Sequence, residues 1–207
     1  NLAPSEQRKT GPGLDLAIAV GVLVATGVVE PTAVASLAFI AELGLDGSVR
    51  PVPGVAPMVG VIGDCDVVVS PGSAIEAGVA SAGAVRTVTT LRELVGVLAE
   101  DEPWTDHPPP TAAVPPRALP DLADVLGQPH ARAALEIAAI GGHHALLVGP
   151  PGSGKSMLAQ RLPGLLPPLP RQLSLETTMV HSAAGATLPP EGLITTPPFR
   201  APHHGSS

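Results

Sequence analysis

GHHALLVGPPGSGKSMLAQ, residues 142–160, is the stretch on which the reading of this chain turns. Within it Gly149-Pro150-Pro151-Gly152-Ser153-Gly154-Lys155-Ser156 matches the pattern G-x-x-x-x-G-K-[ST] at every position. Glycines let the backbone wrap an anion without Cβ clashes, so that successive N–H groups and a helix N-terminus face phosphates. A lysine at the position of Lys155 brings a mobile positive charge to the β and γ phosphates, and a hydroxyl at Ser156 is offered to Mg²⁺. Gly149, Pro150, Pro151, Gly152, Ser153, Gly154, Lys155 and Ser156 are therefore the candidate nucleotide-binding residues, with ATP and Mg²⁺ as the implied cofactors and Ser156 as the metal contact through ATP. The context fits: Ala145–Val148 is expected as a strand, and a helix is expected from the glycine loop to near Pro163. An accidental glycine-rich turn is the alternative, and the flanking ALLV and MLAQRL weigh against it.

Hydrolysis needs an acid that this chain does not supply in the usual form. Among the 51 residues after Ser156 no run of four hydrophobic residues is closed by Asp or Glu, and Leu193-Ile194-Thr195-Thr196 has no acid behind it. LVGVLAEDE, 94–102, has helical spacing and precedes the glycine loop, so it reads as a helix end. The expectation is an ATPase in which the catalytic residues beyond the phosphate loop cannot be assigned. The start at Asn1 and the ending HHGSS, in mid-motif, read as those of a fragment.

Composition sets wider bounds. The 207 residues suffice for one large or two small domains. The formal charge of −7 disfavours a whole-surface polyanion binder, and all of it lies in residues 1–102, which hold Arg8, Lys9, Arg50, Arg86 and Arg92 against twelve acids. One cysteine, Cys65, excludes an intramolecular disulfide, fits a cytoplasmic setting and is expected as small core filler. The most apolar run, Leu16 to Val29, is too short to span a bilayer and is expected as a buried helix. It also mimics a signal peptide, although Asp15, Gly21 and Gly27 interrupt that pattern.

Seven prolines between Pro103 and Pro120 mark residues 101–120 as a stiff linker. Before it, helices are expected at Gly13–Thr26, Ala33–Leu43, Ser73–Ser81 and Thr90–Glu100, with a strand in DGSVRPVPGV and another at Asp66–Ser70. Such a mixture implies an α/β or α+β domain. After the linker, Gln128–Ile140 is an alanine-rich helix closed by Gly141-Gly142. The domain expectation is thus 1–100, 101–120 and 121–207.

With those pieces in place, ADVLGQPHARAALEIAAIGGHHALLVGPPGSGKSMLAQRLPGLLPPL, then ETTMVHSAAG and PPFRAPHHGSS, resembles the start of the AAA+ module in the magnesium-chelatase-like family typified by the competence protein ComM (YifB). The run Pro198-Phe199-Arg200-Ala201-Pro202-His203-His204 is its most distinctive string. The resemblance implies a P-loop ATPase fold, a hexameric ring of like subunits and work on branched DNA in recombination. It also implies that the acidic magnesium-binding strand, the sensors and the arginine finger lie outside this chain. One departure is Thr196-Pro197, where relatives often carry a basic residue, which puts an anion contact there in doubt.

Residues 1–100 resemble a Lon-protease-like domain of the ribosomal S5 domain 2-like fold, on GPGLDLAIAVGVLVATG, LAFIAELGLDGSVRPVPGV and DVVVSPGSAIEAGV. Active Lon proteases carry a nucleophilic serine in the first piece and a lysine in the second. Gly13 and Ala56 stand at those positions, and neither can attack a peptide bond or take a proton. The implied domain is N-terminally truncated and without protease activity.

Other residues admit two readings each. His143-His144 and His203-His204 raise metal binding, but adjacent histidines point apart and no Cys or carboxylate cluster accompanies them. Packing against the strand is the alternative for the first pair, and ring positioning or substrate contact for the second. Gly127-Gln128 resembles the adenine-side contact of AAA+ proteins, or is an ordinary helix-starting turn. Glu176 and His181 are expected on the surface of a helix, and Arg200 meets a substrate, a neighbouring subunit or a structural carboxylate. Three functions stay open: an ATP-driven DNA motor, a magnesium chelatase-type ATPase subunit, and a Lon-like interaction module without catalysis.

Overall fold

The computed structural model describes residues 11–105, 107–109 and 119–202. The chain divides into two compact units, one of residues up to 114 with 175–193, the other of 115–174 with 194–207.

In the first unit, Pro12–Leu14 forms a single 3₁₀ turn that leads into α1, Asp15–Ala25. A second 3₁₀ turn, Pro31–Val34, precedes β1, Leu37–Ile40, which is followed by the short hairpin of β2, Glu42–Leu43, and β3, Val49–Arg50. Then come α2, Val55–Val59; β4, Asp66–Val69; α3, Ala74–Ala80; β5, Val85–Thr87; and α4, Leu91–Ala99. Strands β1, β4 and β5 form a parallel sheet with β4 in the centre, Leu37 opposite Asp66 and Val67 opposite Val85. The mixed α/β class read from the sequence is therefore present.

The core follows from the two-residue period of β4. Val68, fully buried, joins Leu16, Val20, Val88 and Leu94 on one face of the sheet. Val67 and Val69 turn to the other face and meet Val52, Val55, Val59 and Ala77. A central parallel strand buried on both sides is expected to be a continuous apolar run, and DVVV is one.

Helix α4 begins at a well-made cap. The Thr90 hydroxyl accepts from the Glu93 amide at 3.2 Å, and the Glu93 carboxylate accepts in return from the Thr89 amide at 2.8 Å. The remainder of α8, Arg171–Ala183, beyond its first turn also belongs to this unit. Its buried Thr178 and Ser182 face inward, and the Ser182 hydroxyl donates to Glu76 Oε1, which also accepts from the Ala56 amide at 3.0 Å.

Two expectations about local structure are overturned. Ala33–Leu43 is not a helix: only Pro31–Val34 coils, and Leu37–Ile40 pairs with β4 as an extended strand. Its apolar spacing suits either state, and the ladder offered by β4 decides it. Ala145–Val148 is not a strand, because no strand pairs with it among the described residues. Within it Leu147 alone packs against the core of the second unit, while Leu146 and Val148 stand 88% and 84% exposed.

That second unit contains a 3₁₀ turn, Leu122–Asp124, then α5, Pro129–Gly141, α6, Lys155–Ala159, α7, Leu162–Leu165, and the first turn of α8. The helix after the glycine loop thus stops at Ala159 and restarts at Leu162, with Pro163 in the first turn of α7, where its missing N–H costs nothing. Leu122, Val125, Leu135 and Leu158 make the core. Arg161 laces it together, donating from Nε to the Asp121 carbonyl and from a terminal nitrogen to the Met157 carbonyl, both at 2.8 Å.

Candidate functional site

The loop from Gly149 to Gly154 connects segment 145–148 to α6. Its curvature requires glycine at two places, since Gly152 and Gly154 have φ of 78° and 83°, in the region where a side chain is strained. The Ser153 amide donates to the Pro150 carbonyl at 3.3 Å, which closes the tip into a turn.

Lys155 curls back over this turn. Its ammonium donates to the carbonyls of Gly149 at 2.9 Å and Pro150 at 2.7 Å and to the Ser153 hydroxyl at 3.3 Å. An ammonium has three N–H bonds and no acceptor. The loop therefore gathers three oxygens around one cation. Phosphate oxygens are stronger acceptors of the same kind, since they carry charge. Ser156, one residue on, is exposed. The eight residues singled out in the sequence thus lie along one continuous loop and helix start, with Lys155, Ser153, Gly149 and Pro150 in direct contact.

Gln128, just before α5, is also at the loop. Its Nε2 donates to the Ser153 carbonyl at 3.4 Å, across 25 residues of sequence. Nothing in the sequence signals that bond.

The remaining candidates are dispersed. His143 and His144 are exposed, and no group of three His, Cys, Asp or Glu able to hold a metal occurs among the described residues. His203 and His204 lie outside the described residues. Glu176 and Arg200 are exposed, and His181 is half-buried. Gly13 and Ala56 are both buried in the first unit, where a Cβ on Gly13 would stand 3.5 Å from Met58 Sδ. Cys65 is only half-buried, because it sits at the edge of β4 rather than in the core. No helix among the described residues is long and apolar enough to cross a membrane.

Sequence reasoning also missed an anchor in the proline-rich stretch. Trp104 packs against the α1 side of the first unit's core, with its ring 5.6 Å from the Arg86 guanidinium. His107 meets Glu93 through Nε2, and its amide donates to the Thr87 hydroxyl at 3.2 Å. A lone aromatic beside prolines carries no periodicity, so only packing reveals it.

Comparison with known proteins bears on what this loop belongs to. The family model for magnesium chelatase, subunit ChlI, matches residues 121–207, and that for subunit ChlI of Mg-chelatase matches residues 1–68. Competence protein ComM of Haemophilus influenzae is 37% identical over 216 residues, which take in 100% of this chain and 42% of ComM. The chain belongs to the magnesium-chelatase-like family of ComM. This family is of the magnesium-chelatase-like AAA+ type. An uncharacterized protein of Mycobacterium tuberculosis is 45% identical over 209 residues, 100% of this chain and 41% of that one. The archaeal Lon protease of Archaeoglobus fulgidus is 47% identical over 55 residues, 27% of this chain and 8% of that one. The chain spans about two fifths of the length of the ComM-family relatives it matches, 41% and 42% for the two described here.

Proposed function

We propose that Gly149–Ser156 binds the triphosphate of ATP with Mg²⁺, and that the chain serves a cytoplasmic ring ATPase that moves branched DNA during recombination. The observation that carries the nucleotide reading is the ring of oxygens around the Lys155 ammonium. The residues fit the group: the ammonium exchanges loop carbonyls for phosphate oxygens, Gly152 and Gly154 have no Cβ to obstruct them, and the exposed Ser156 hydroxyl is a hard oxygen ligand suited to Mg²⁺. Bound ATP would supply the free energy of phosphoryl transfer. Lys155 would hold the phosphates and neutralise their charge.

The fold assignments rest on resemblance. An AAA+ P-loop domain over 121–207 is supported by the match to the magnesium chelatase model. A Lon-like domain over 1–100 is supported by the segment shared with the archaeal Lon protease. Buried Gly13 and Ala56 leave that domain without a nucleophile or a base at the positions where Lon proteases have them, so its role is a scaffold or binding surface. The hexameric ring and the DNA substrate come from the likeness to ComM. The charge of −7 gives the DNA reading no help, which leaves DNA contact to basic residues concentrated by a ring.

The matched magnesium chelatase models favour a second reading, an ATPase subunit that drives insertion of magnesium into a porphyrin. One experiment separates the two. ATP turnover by the full-length protein is measured with a four-way DNA junction, and separately with a porphyrin and its binding subunit, at several salt concentrations. Stimulation by the junction, weakening linearly in log salt, is the expected result. Turnover that ignores the junction and responds to the porphyrin partner replaces the motor by the chelatase.

A further inference from the structure

Gln128 has an unusual backbone. With φ 51° and ψ 48° it is, with Asp101, one of only two non-glycine residues with positive φ among the described residues. Pro129 follows it and disfavours the right-handed helical region for the residue before it. Backbone strain of this kind persists where the surroundings hold it and is a guide to function.

The side chain does not serve the helix it precedes. Gln128 is the N-cap residue of α5, yet it makes no side-chain cap hydrogen bond. Its amide reaches instead to the Ser153 carbonyl at 3.4 Å. The same nitrogen stands 3.0 Å from the point where a Cβ on Gly154 would be. Gly154 is therefore glycine for two reasons, its φ of 83° and the room that Gln128 takes.

The geometry points to Gln128 as a positioning residue for the phosphate loop, acting through the Ser153–Gly154 peptide; this rests on the reading of 149–156 as a triphosphate site. In a planar trans peptide the carbonyl and the following N–H point in opposite directions. Drawing the Ser153 carbonyl toward Gln128 turns the Gly154 N–H away from it. The link thus sets the direction in which that amide can donate to an anion, and it does so before Lys155. A glutamine at this place that read the adenine base would act on the other end of the nucleotide, and the two roles differ in what they demand of a ligand.

The test uses the full-length protein with Mg²⁺ and two ligands, ATP and inorganic tripolyphosphate, the latter measured by competition with a fluorescent nucleotide. Gln128→Ala is expected to weaken both by the same factor, about tenfold, the worth of one hydrogen bond from an amide oriented toward a charged ligand. Gln128→Gly relieves the backbone strain and is expected to lose as much affinity, while the melting temperature without ligand stays near that of the parent in Gln128→Ala and at or above it in Gln128→Gly. A loss confined to ATP makes Gln128 a base contact and overturns the inference. So does unchanged affinity for both ligands. Lys155→Ala serves as the control on the underlying reading: if it leaves tripolyphosphate bound, the loop is not a phosphate site at all, whatever Gln128 does.

Discussion

The ammonium of Lys155 donates to the carbonyl of Pro150 at 2.7 Å, so the cation that the loop would present to a phosphate is already held by the loop's own backbone. A site with this arrangement exchanges one set of oxygens for another, and the charge never faces an empty cavity. The cost of waiting for ligand is small, since half-exposed Lys155 keeps its acceptors.

Lys155→Ala is therefore expected to abolish nucleotide binding while leaving the unliganded fold intact. The melting temperature without ATP should fall by no more than about 4 °C, the effect of about 1 kcal/mol, because the carbonyls that Lys155 releases at this half-exposed loop can turn to water. The rise in melting temperature that Mg-ATP gives the parent should vanish. Calorimetry showing parental ATP affinity in the variant would remove the loop from the site.

Acid should release Trp104 and His107 from the first unit. Burial opposes the charge on Glu93, but hydrogen bonds from the Thr89 amide, from His107 and from the Thr89 hydroxyl outweigh it, and the carboxyl lies below its ordinary 4.5. A carboxyl with a lowered pKa stabilises the fold above its unfolded value and loses that contribution as pH falls through the folded value. Trp104 is the single tryptophan, so its emission reports the anchor directly. A titration from about pH 6 to 3 should shift that emission in the parent and shift it much less in Glu93→Gln, whose side chain has no charge to lose. Identical curves would show that the carboxylate does not hold the anchor.

Gly83→Ala should destabilise the first unit by about 2 kcal/mol or more, because the added Cβ runs into the carbonyl group of Cys65. That carbonyl is backbone beside β4 and cannot swing aside as a side chain would. Urea unfolding followed by circular dichroism measures the change, and a midpoint equal to the parent's would mean that the backbone around 83 shifts freely to admit the methyl group.

Helix α4 offers two substitutions with different expected sizes. Leu94 is fully buried, and Leu94→Ala should cost about 3 kcal/mol through the cavity it leaves. Thr90→Ala removes the cap on the Glu93 amide and should cost about 1 kcal/mol. Both are read from the urea midpoint. A Thr90→Ala loss as large as that of Leu94→Ala would mean that the cap organises more of the unit than one helix end.

Elements whose pattern admits one solution were legible in the chain. Leu91, Leu94, Val95 and Leu98 recur at helical spacing behind Thr90, and α4 forms there. DVVV is short, β-branched and bounded by turn residues, and it is the central strand. Leu37–Ile40 is ambiguous in sequence because LAFI fits a helix face and a buried strand alike, and its state depends on β4, 29 residues away by the pairing of Leu37 with Asp66. Val85–Thr87 and Val55–Val59 are too short to carry a period that a sequence could show.

By itself the sequence determined the chemistry of 149–156, since the glycine spacing, the lysine and the hydroxyl are covalent facts that need no partner to be recognised. It also determined the family, through strings long enough to be matched as strings. Only the tertiary structure decided that Gln128 holds the Ser153 carbonyl, that Trp104 and His107 belong to the first unit, and that 145–148 has no ladder partner among the described residues. Each of these depends on groups far apart in the chain. Local pattern reports what a residue can do, and packing selects which neighbour it does it with.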